Sequence, residues 1–225
     1  MSQLSGIFAT DQAGLPRGRT ARDHDHIREQ QQRRIVRGAI SAFAKHGYAA
    51  TTITDIVKNA RVSRQAFYEI FSSKEACFLA AEALGRQALQ VDIQAVSLPT
   101  ITCPDQWVRQ FIRAYLQLCS AEPEFSRAWA IEFPNASALT LQQRNAFFEQ
   151  LAHALQQGHQ TIRQLNSQPI PTFPAMFYDL AVGGAYEMVY RQIAKGQFEQ
   201  LQSLEDVLVQ FILHTLGEQP RKSEK

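Results

Sequence analysis

Residues 52–75, TITDIVKNARVSRQAFYEIFSSKE, decide the fold of this chain. Thr52 is followed three residues later by Asp55, a capping-box pattern in which each side chain satisfies a backbone N–H of the first helical turn. Apolar residues then recur at helical spacing up to Ala60. Ser63 can cap a second short helix that runs from Arg64 to Phe71. The stretch therefore predicts two short helices joined by a tight turn.

The second of these helices separates apolar from polar side chains. Ala66, Phe67, Ile70 and Phe71 form its predicted inner face. Arginine and glutamine can make bidentate contacts to guanine and adenine in the major groove, and basic side chains neutralise phosphate. The polar face of any small surface helix has a similar composition, so this face alone leaves the function open. The predicted outward residues are Arg64, Gln65, Tyr68 and Glu69.

Longer helices flank this pair on both sides. Upstream, an apolar stripe at helical spacing begins at Ile35 and predicts a helix that stops at Gly47. Downstream, residues 72–75 form another capping box, which opens a long helix reaching to about Val96. Three helices whose last two are joined by a tight turn are the anatomy of a helix-turn-helix DNA reader.

Charge is distributed unevenly along the 225 residues. Residues 1–75 carry 12 Lys and Arg against 7 Asp and Glu, a net charge of +5, whereas the remainder carries −3. A basic front end suggests that this part alone meets a polyanion. Chance clustering on a solvated face is the alternative.

The rest of the chain is also predicted to be helical. We place helices near 104–119, 123–132, 138–165, 174–195 and 203–216, separated by proline-containing breaks. No alternating strand pattern occurs. The prediction is an all-α protein of nine helices, in which a three-helix helix-turn-helix domain precedes a larger helical domain.

Composition excludes several other classes. Apolar residues make up 45% and charged residues 20%, near the globular average, and no apolar run approaches the ~20 residues that a membrane-spanning helix needs. The first residues lack a basic start followed by an apolar segment, which predicts a cytoplasmic location. The cysteines, which are Cys77, Cys103 and Cys119, are odd in number and scattered, so neither a disulfide scaffold nor a zinc site is supported, and no cofactor is predicted.

Three separated segments resemble the DNA-binding domain of the tetracycline-repressor (TetR/AcrR) family of transcriptional regulators. They are residues 35–48, IVRGAISAFAKHGY, residues 51–56, TTITDI, and residues 62–75, VSRQAFYEIFSSKE. The resemblance covers about 29–89 and implies a helix-turn-helix motif at 52–71. The DNA contacts that it implies are Thr52, Ser63, Arg64, Gln65, Tyr68 and Lys74. Three of these have a structural alternative: Thr52 as a plain N-cap, Tyr68 as a half-buried ring and Lys74 as a solvated lysine.

Two positions depart from the family pattern. Arg61 stands where glycine is common in the turn, and a non-glycine residue at positive φ costs about 1 kcal/mol. Either the turn is strained or Arg61 compensates by reaching phosphate, so Arg61 joins the predicted DNA contacts. Glu69 repels phosphate unless it accepts from cytosine N4 or pairs with an arginine. Before this domain, residues 1–28 are predicted to be a disordered basic arm in which Arg17, Arg19 and Arg22 either enter a minor groove or have no role.

Residues 90–218 are implied to form the family's ligand-binding and dimerising domain, with 219–225 as a tail. Aromatic residues are dense between 107 and 186, which suits an apolar pocket, although each can equally fill a helical core. Glu132, His153, Glu187 and Arg191 are the polar candidates for anchors. The predicted ligand-binding residues are Trp107, Phe111, Tyr115, Trp129, Phe133, Phe148, Phe177 and Tyr178.

The last two predicted helices each carry an apolar stripe at offsets of three and four residues. Two such helices from each subunit make a four-helix, twofold interface, which is also how the resembled family dimerises. Packing of the same stripes within one chain is the alternative. The predicted dimer residues are Leu180, Gly184, Met188, Leu204, Leu208 and Phe211.

The sequence thus predicts a repressor that leaves a near-palindromic operator when a small, largely apolar ligand binds. Activators and regulators that need a corepressor also occur in the resembled family, so these directions of control are alternatives. The partners predicted for it are operator DNA, an effector and a second copy of the chain. A helical enzyme is one alternative, but no GxSxG, HExxH, P-loop or GxGxxG motif is present. A small-molecule-binding adaptor that has lost DNA binding is the other.

Overall fold

The computed structural model describes residues 21–94, 104–165 and 171–217, and every regular element in these ranges is helical. A π-helical turn, Ala128–Glu132, joins α6 to α7, and a 3₁₀ segment, Phe198–Leu204, leads into α10. If α6, the π-helical turn and α7 are counted as one helix, and the 3₁₀ segment and α10 as another, the described residues form nine helices. This confirms the all-α prediction. The α-helices are α1 Ala21–His46, α2 Ile53–Ala60, α3 Arg64–Ile70, α4 Lys74–Gln94, α5 Pro104–Ala121, α6 Pro123–Arg127, α7 Phe133–Ala136, α8 Ala138–Leu165, α9 Ala175–Ala194 and α10 Glu205–Thr215.

Two boundaries differ from the sequence prediction. Helix α1 begins at Ala21, so residues 21–28, assigned to a disordered arm, are helical. Their polar composition carries no apolar period, yet it contains neither proline nor glycine to stop the helix. Pro134 was expected to end a helix, but it lies in the first turn of α7, where a missing N–H costs no hydrogen bond. Arg17 and Arg19 lie outside the described residues.

The chain forms two compact units. Unit 1 holds the described residues up to Ala88 together with Ala121–Leu141, and unit 2 holds the described residues of Leu89–Ser120 and from Gln142 onward. The bounds predicted for the two domains, 29–89 and 90–218, remain predictions. Unit 1 takes in a segment that the sequence prediction gave to the ligand-binding domain.

The core of unit 1 is built around aromatic rings. The ring of Phe78 lies 4.6 Å from that of Phe43 and 4.9 Å from that of Phe133, and all three side chains are fully buried. Helices α1 and α2 cross closely at Gly38, where an added Cβ would lie 2.7 Å from the backbone nitrogen of Ala60. Only glycine therefore fits this crossing.

The segment 121–141 is tied to α1 by hydrogen bonds as well as by packing. Ser41 donates to Glu124 at 3.1 Å, and the Arg127 Nε donates to the carbonyl oxygen of Ala44 at 3.3 Å. The Tyr48 N–H donates to the Glu132 carboxylate at 2.8 Å. This segment therefore covers the C-terminal half of α1 and the turn that follows it.

Unit 2 consists of long helices held by apolar packing and by ion pairs between α5 and α10. Arg109 and Arg113 lie 3.1 and 2.7 Å from the Glu205 carboxylate. The indole of Trp107 lies against Gly158 so closely that a Cβ there would be 2.1 Å from the ring. Within the ranges that the structure covers, no helix has the length and apolar character to cross a bilayer.

Candidate nucleic-acid interface and ligand cavity

The start of α2 is fixed by a complete capping box. Asp55 N–H donates to the Thr52 hydroxyl at 3.2 Å, and Thr52 N–H donates to the Asp55 carboxylate at 2.9 Å. The hydrogen bonds from Thr52 lower the pKa of Asp55 below its ordinary value. Thr52 is exposed, so the same helix end that it caps also offers backbone N–H groups to an anion.

The turn between α2 and α3 is left-handed at Arg61. Its φ of 54° and ψ of 44° place it in the region that favours glycine, and it has the only positive φ of any non-glycine residue that the structure describes. Its N–H donates to the carbonyl oxygen of Lys58 at 3.3 Å and so ends α2. The side chain is exposed.

Helix α3 begins at Ser63, whose hydroxyl accepts from the N–H of Ala66 at 3.0 Å. Ala66 and Phe67 face the core, whereas the predicted outward residues are all exposed. Tyr68 is 50% exposed, so its ring is not a core element.

Two interactions order the exposed face of α3. The Arg64 guanidinium lies 5.8 Å from the centre of the Tyr68 ring, a cation–π geometry. The Gln65 amide donates to the Glu69 carboxylate at 2.9 Å. Glu69 therefore has a neutral partner on its own helix.

Lys74 is engaged in a turn rather than free in solvent. Its Nζ donates to the carbonyl oxygens of Tyr48 and Thr51 at 2.7 and 2.9 Å, and it lies 4.3 Å from the centre of the Tyr48 ring. Burial lowers the pKa of Lys74 below its ordinary value. Lys74 thus fastens the start of α4 to the loop that leads into α2, and its predicted phosphate contact remains a prediction.

Unit 2 contains a cavity of about 90 Å³. Its walls come from α5, α8, α9 and α10, and they are almost entirely apolar. The void is several times the ~10–15 Å³ that one water occupies. Four of the predicted ligand-binding residues line it, namely Trp107, Phe111, Tyr115 and Phe148.

Comparison with known proteins identifies the first unit. Residues 35–81 match the family model described as bacterial regulatory proteins, tetR family. Residues 35–81 therefore form a tetR-family domain. The match includes the capped α2, the left-handed turn and the whole of α3.

Two curated relatives match parts of the chain. An uncharacterised HTH-type transcriptional regulator, YerO of Bacillus subtilis, is 46% identical over 52 residues, which are 23% of this chain. The HTH-type transcriptional repressor Rv1474c of Mycobacterium tuberculosis is 28% identical over 123 residues, which are 52% of this chain. The matched part spans 18% and 65% of these two relatives.

Solved structures share the fold over most of the chain. A TetR-like transcriptional regulator from Rhodococcus sp. RHA1 superposes with a TM-score of 0.66 at 16% identity, covering 92% of this chain and 100% of that one. The regulator FadR from Bacillus subtilis, crystallised with stearoyl-CoA, superposes with a TM-score of 0.67 at 15% identity, covering 80% and 96%. At these identities the likeness concerns the fold alone.

The other predicted ligand-binding residues lie away from the cavity. Trp129 and Phe133 belong to unit 1, because 121–141 packs on α1, and Phe133 fills the core there. The Phe177 ring stacks on Phe173 at 4.3 Å, and Tyr178 is hydrogen-bonded to His159 at 2.8 Å. Neither α9 residue is among those that line the cavity.

The four polar candidates for anchors also lie outside the cavity lining. Glu132 accepts from Tyr48, as described above, and so acts within unit 1. His153 is hydrogen-bonded to Gln157 at 2.9 Å, and Glu187 pairs with Arg191 at 2.8 Å. Sequence reasoning missed a different cation, Arg144, whose guanidinium lies over two rings of the cavity wall.

The predicted dimer residues divide between the surface and the interior of unit 2. Leu180, Met188 and Phe211 are 67%, 39% and 42% exposed. The Phe211 ring packs against Gly184, where an added Cβ would lie 3.1 Å from it. Leu208 instead lines the cavity and is 2% exposed. On α10 the exposed residue beside it is Val207, because neighbouring helical residues point about 100° apart. Leu204 is half-buried.

Proposed function

We propose that this tetR-family protein is a cytoplasmic transcriptional repressor, which binds a near-palindromic operator as a dimer and leaves it when a small, largely apolar ligand enters unit 2. The observation that carries the proposal is a firmly capped α3 with Arg64, Gln65 and Tyr68 exposed on one short helix. The relative Rv1474c is likewise a transcriptional repressor.

The chemistry of α3 and of its surroundings suits duplex DNA. Arg64 and Gln65 can form bidentate hydrogen bonds to guanine and adenine in the major groove. Thr52, Ser63 and Tyr68 carry hydroxyls that suit phosphate oxygens, and Arg61 adds an exposed positive charge in the turn. Glu69, held by Gln65, can accept from cytosine N4.

The dimer is proposed from the exposed apolar face of α9 and α10. Large apolar side chains that are contiguous and exposed are characteristic of protein–protein interfaces. Two helices from each subunit would complete a four-helix interface with twofold symmetry, which would present two copies of α3 to the two half-sites of an operator. The side chains of this face are Met176, Leu180, Met188, Val207 and Phe211.

The ligand is proposed from the cavity. Its walls are apolar, and the structural relative FadR binds stearoyl-CoA, a molecule with a long apolar chain. A ligand releases a repressor only if it favours the conformation that binds DNA poorly, and couplings of this kind are typically 1–3 kcal/mol.

The test combines an operator search with a salt titration. The purified full chain is used to select genomic fragments, and the affinity for a selected fragment is measured at several salt concentrations. We expect a dimer that prefers one fragment class and loses affinity steeply as salt rises, because phosphate contacts release counterions. A monomer that binds no duplex at low ionic strength would overturn the proposal.

A further inference from the structure

We propose that the cavity of unit 2 accepts an amphipathic monocarboxylate, whose carboxylate binds at a corner formed by Arg144, Tyr115 and Tyr186 while its apolar body lies against Trp107 and Leu155. This inference rests on the proposed function only in taking the cavity as the effector site. It adds the charge and the chemical class of the ligand.

Polar atoms are scarce in the cavity wall. Of the described side chains that line it, only Trp107, Tyr115 and Tyr186 carry a nitrogen or an oxygen. A ligand pocket of this type takes its specificity from a few polar groups set among hydrocarbon. The position of the two phenols therefore decides where a polar head group can bind.

A cation lies over two rings of the cavity wall at this end, although it is not itself a lining residue. The Arg144 guanidinium carbon lies 4.5 Å from the centre of the Phe148 ring and 5.4 Å from that of the Tyr186 ring, and both rings line the cavity. Tyr115 and Tyr186 both line the cavity, and the charge of Arg144 acts on both hydroxyls.

Arg144 has no ion pair with any carboxylate in the part of the chain that the structure describes. Its Nε is buried and lacks a hydrogen-bond partner among the described residues. The guanidinium is half-buried, and the partners that it has are neutral, namely the Asn145 amide oxygen at 3.3 Å and the Tyr186 hydroxyl. An anionic ligand would add the charge-assisted hydrogen bond that these neutral groups do not supply.

The two phenols remain hydrogen-bond donors at neutral pH. Burial raises the pKa of Tyr186 to about 12 and raises that of Tyr115 well above its ordinary value, although Arg144 opposes both shifts. The corner therefore holds one positive charge and two protonated phenols. Tyr115 is hydrogen-bonded to buried Cys119 and Tyr186 to Arg144, so a carboxylate would exchange with these existing partners. A carboxylate has two oxygens that accept several such bonds. A single guanidinium matches one negative charge rather than a multiply charged head group.

The experiment compares three probes that share one alkyl chain and differ in charge: decanoate, 1-decanol and decylamine. Binding to the full-length protein is measured by isothermal titration calorimetry at neutral pH. We expect decanoate to bind roughly tenfold or more tightly than 1-decanol, because a hydrogen bond to a charged group is stronger than one to a neutral group. Decylamine should bind most weakly, because Arg144 repels it.

Substitutions locate the head group. Arg144→Met should abolish the preference for decanoate over 1-decanol, whereas Arg144→Lys should retain part of it. Arg191→Met is the matched control, since Arg191 is exposed, pairs with Glu187 on its own helix and does not line the cavity. The comparison among the three probes on the unaltered chain stands even where a variant fails to fold.

The outcomes separate this inference from the proposed repressor function. Equal or tighter binding of 1-decanol, or no binding of any probe, overturns the inference even if the protein binds its operator normally. An Arg144-dependent preference for decanoate in a protein that ignores every duplex supports the inference and overturns the repressor. Release of operator DNA by decanoate, but not by decylamine, supports both.

Discussion

Helix α3 and the paired helices α9 and α10 both leave large side chains in solvent, but of opposite chemistry. The exposed residues of α3 are polar, with Arg64 and Gln65 at its start. Those of α9 and α10 are apolar, with Leu180 and Val207 67% and 58% exposed. The first composition suits a polyanion that is bound reversibly, and the second suits another apolar surface. The two units are both helical, so it is the exposed side chains of these helices, polar in one and apolar in the other, that distinguish the partners proposed for them.

The largest effect is expected at the apolar face of α9 and α10, where a charged substitution should disrupt the proposed dimer. Leu180→Glu should weaken the dimer at least ~100-fold, because each subunit would bury an unpaired carboxylate in the interface. Sedimentation at micromolar concentration would then detect monomers. The matched control is Leu139→Glu, at a leucine of unit 1 that is 44% exposed. A Leu180→Glu protein that remains dimeric would exclude this face as the interface.

The polar face should give the next largest effect. Arg64→Ala should lower the affinity for a selected operator by roughly 10- to 100-fold, since a bidentate base contact contributes about 1–3 kcal/mol. A gel-shift or anisotropy titration at fixed salt measures the change. Arg191→Ala removes a charge from unit 2 and should leave the affinity unaltered. Equal affinities of the Arg64→Ala and unaltered proteins would show that α3 does not read DNA with this side chain.

A pH titration tests whether the stability of unit 2 depends on a buried neutral histidine. His159 has no exposed surface and is hydrogen-bonded to Tyr178. Burial, together with repulsion from Arg163, lowers the pKa of His159 below its ordinary value of 6.5. The unfolded chain therefore takes up the proton first as pH falls, so stability is full above about pH 6.5 and declines below it.

One such proton changes the free energy of unfolding by at most ~1.4 kcal/mol per pH unit. Urea unfolding between pH 8 and pH 5 measures this slope, and His159→Phe should reduce it. The difference between the two proteins isolates His159 from the other histidines. Identical slopes would mean that His159 titrates normally in the folded chain.

The smallest effect is expected at the turn between α2 and α3. Arg61→Gly should stabilise unit 1 by about 0.5–1 kcal/mol, because glycine adopts the left-handed conformation without steric cost but is freer in the unfolded chain. If Arg61 contacts phosphate, the same change lowers the salt slope of operator binding by about one. Arg61→Ala separates the two effects, since it removes the charge and keeps the strain. Loss of stability in Arg61→Gly, measured by urea unfolding, would contradict this account.

Local hydrogen bonding explains why sequence reasoning succeeded in unit 1. The caps at Thr52 and Ser63 involve residues only three positions apart, so the sequence alone predicts them. The left-handed turn at Arg61 follows from the same short range. The carbonyl oxygens that hold Lys74 lie more than twenty residues away and could not be foreseen.

Features that depend on how helices pack were predicted less well. Aromatic density indicated a pocket, but it could not tell Phe148, which lines the cavity, from Phe133, which fills the core of unit 1. The apolar stripe of α10 likewise did not separate inward Leu208 from outward Phe211. Arg144 gave no signal, because its place over Phe148 and Tyr186 depends on the approach of α8 to α9.

The contribution of residues 121–141 to unit 1 has a consequence for synthesis of the protein. Phe133 covers the ring of Phe78, and Phe125 fills the space left at Gly85, where a Cβ would lie 2.2 Å from its ring. A nascent chain that has left the ribosome only as far as residue 88 lacks both aromatic rings. Helices α1 to α3 can form at that stage, but their hydrophobic core stays open until residues 121–141 have also left the ribosome.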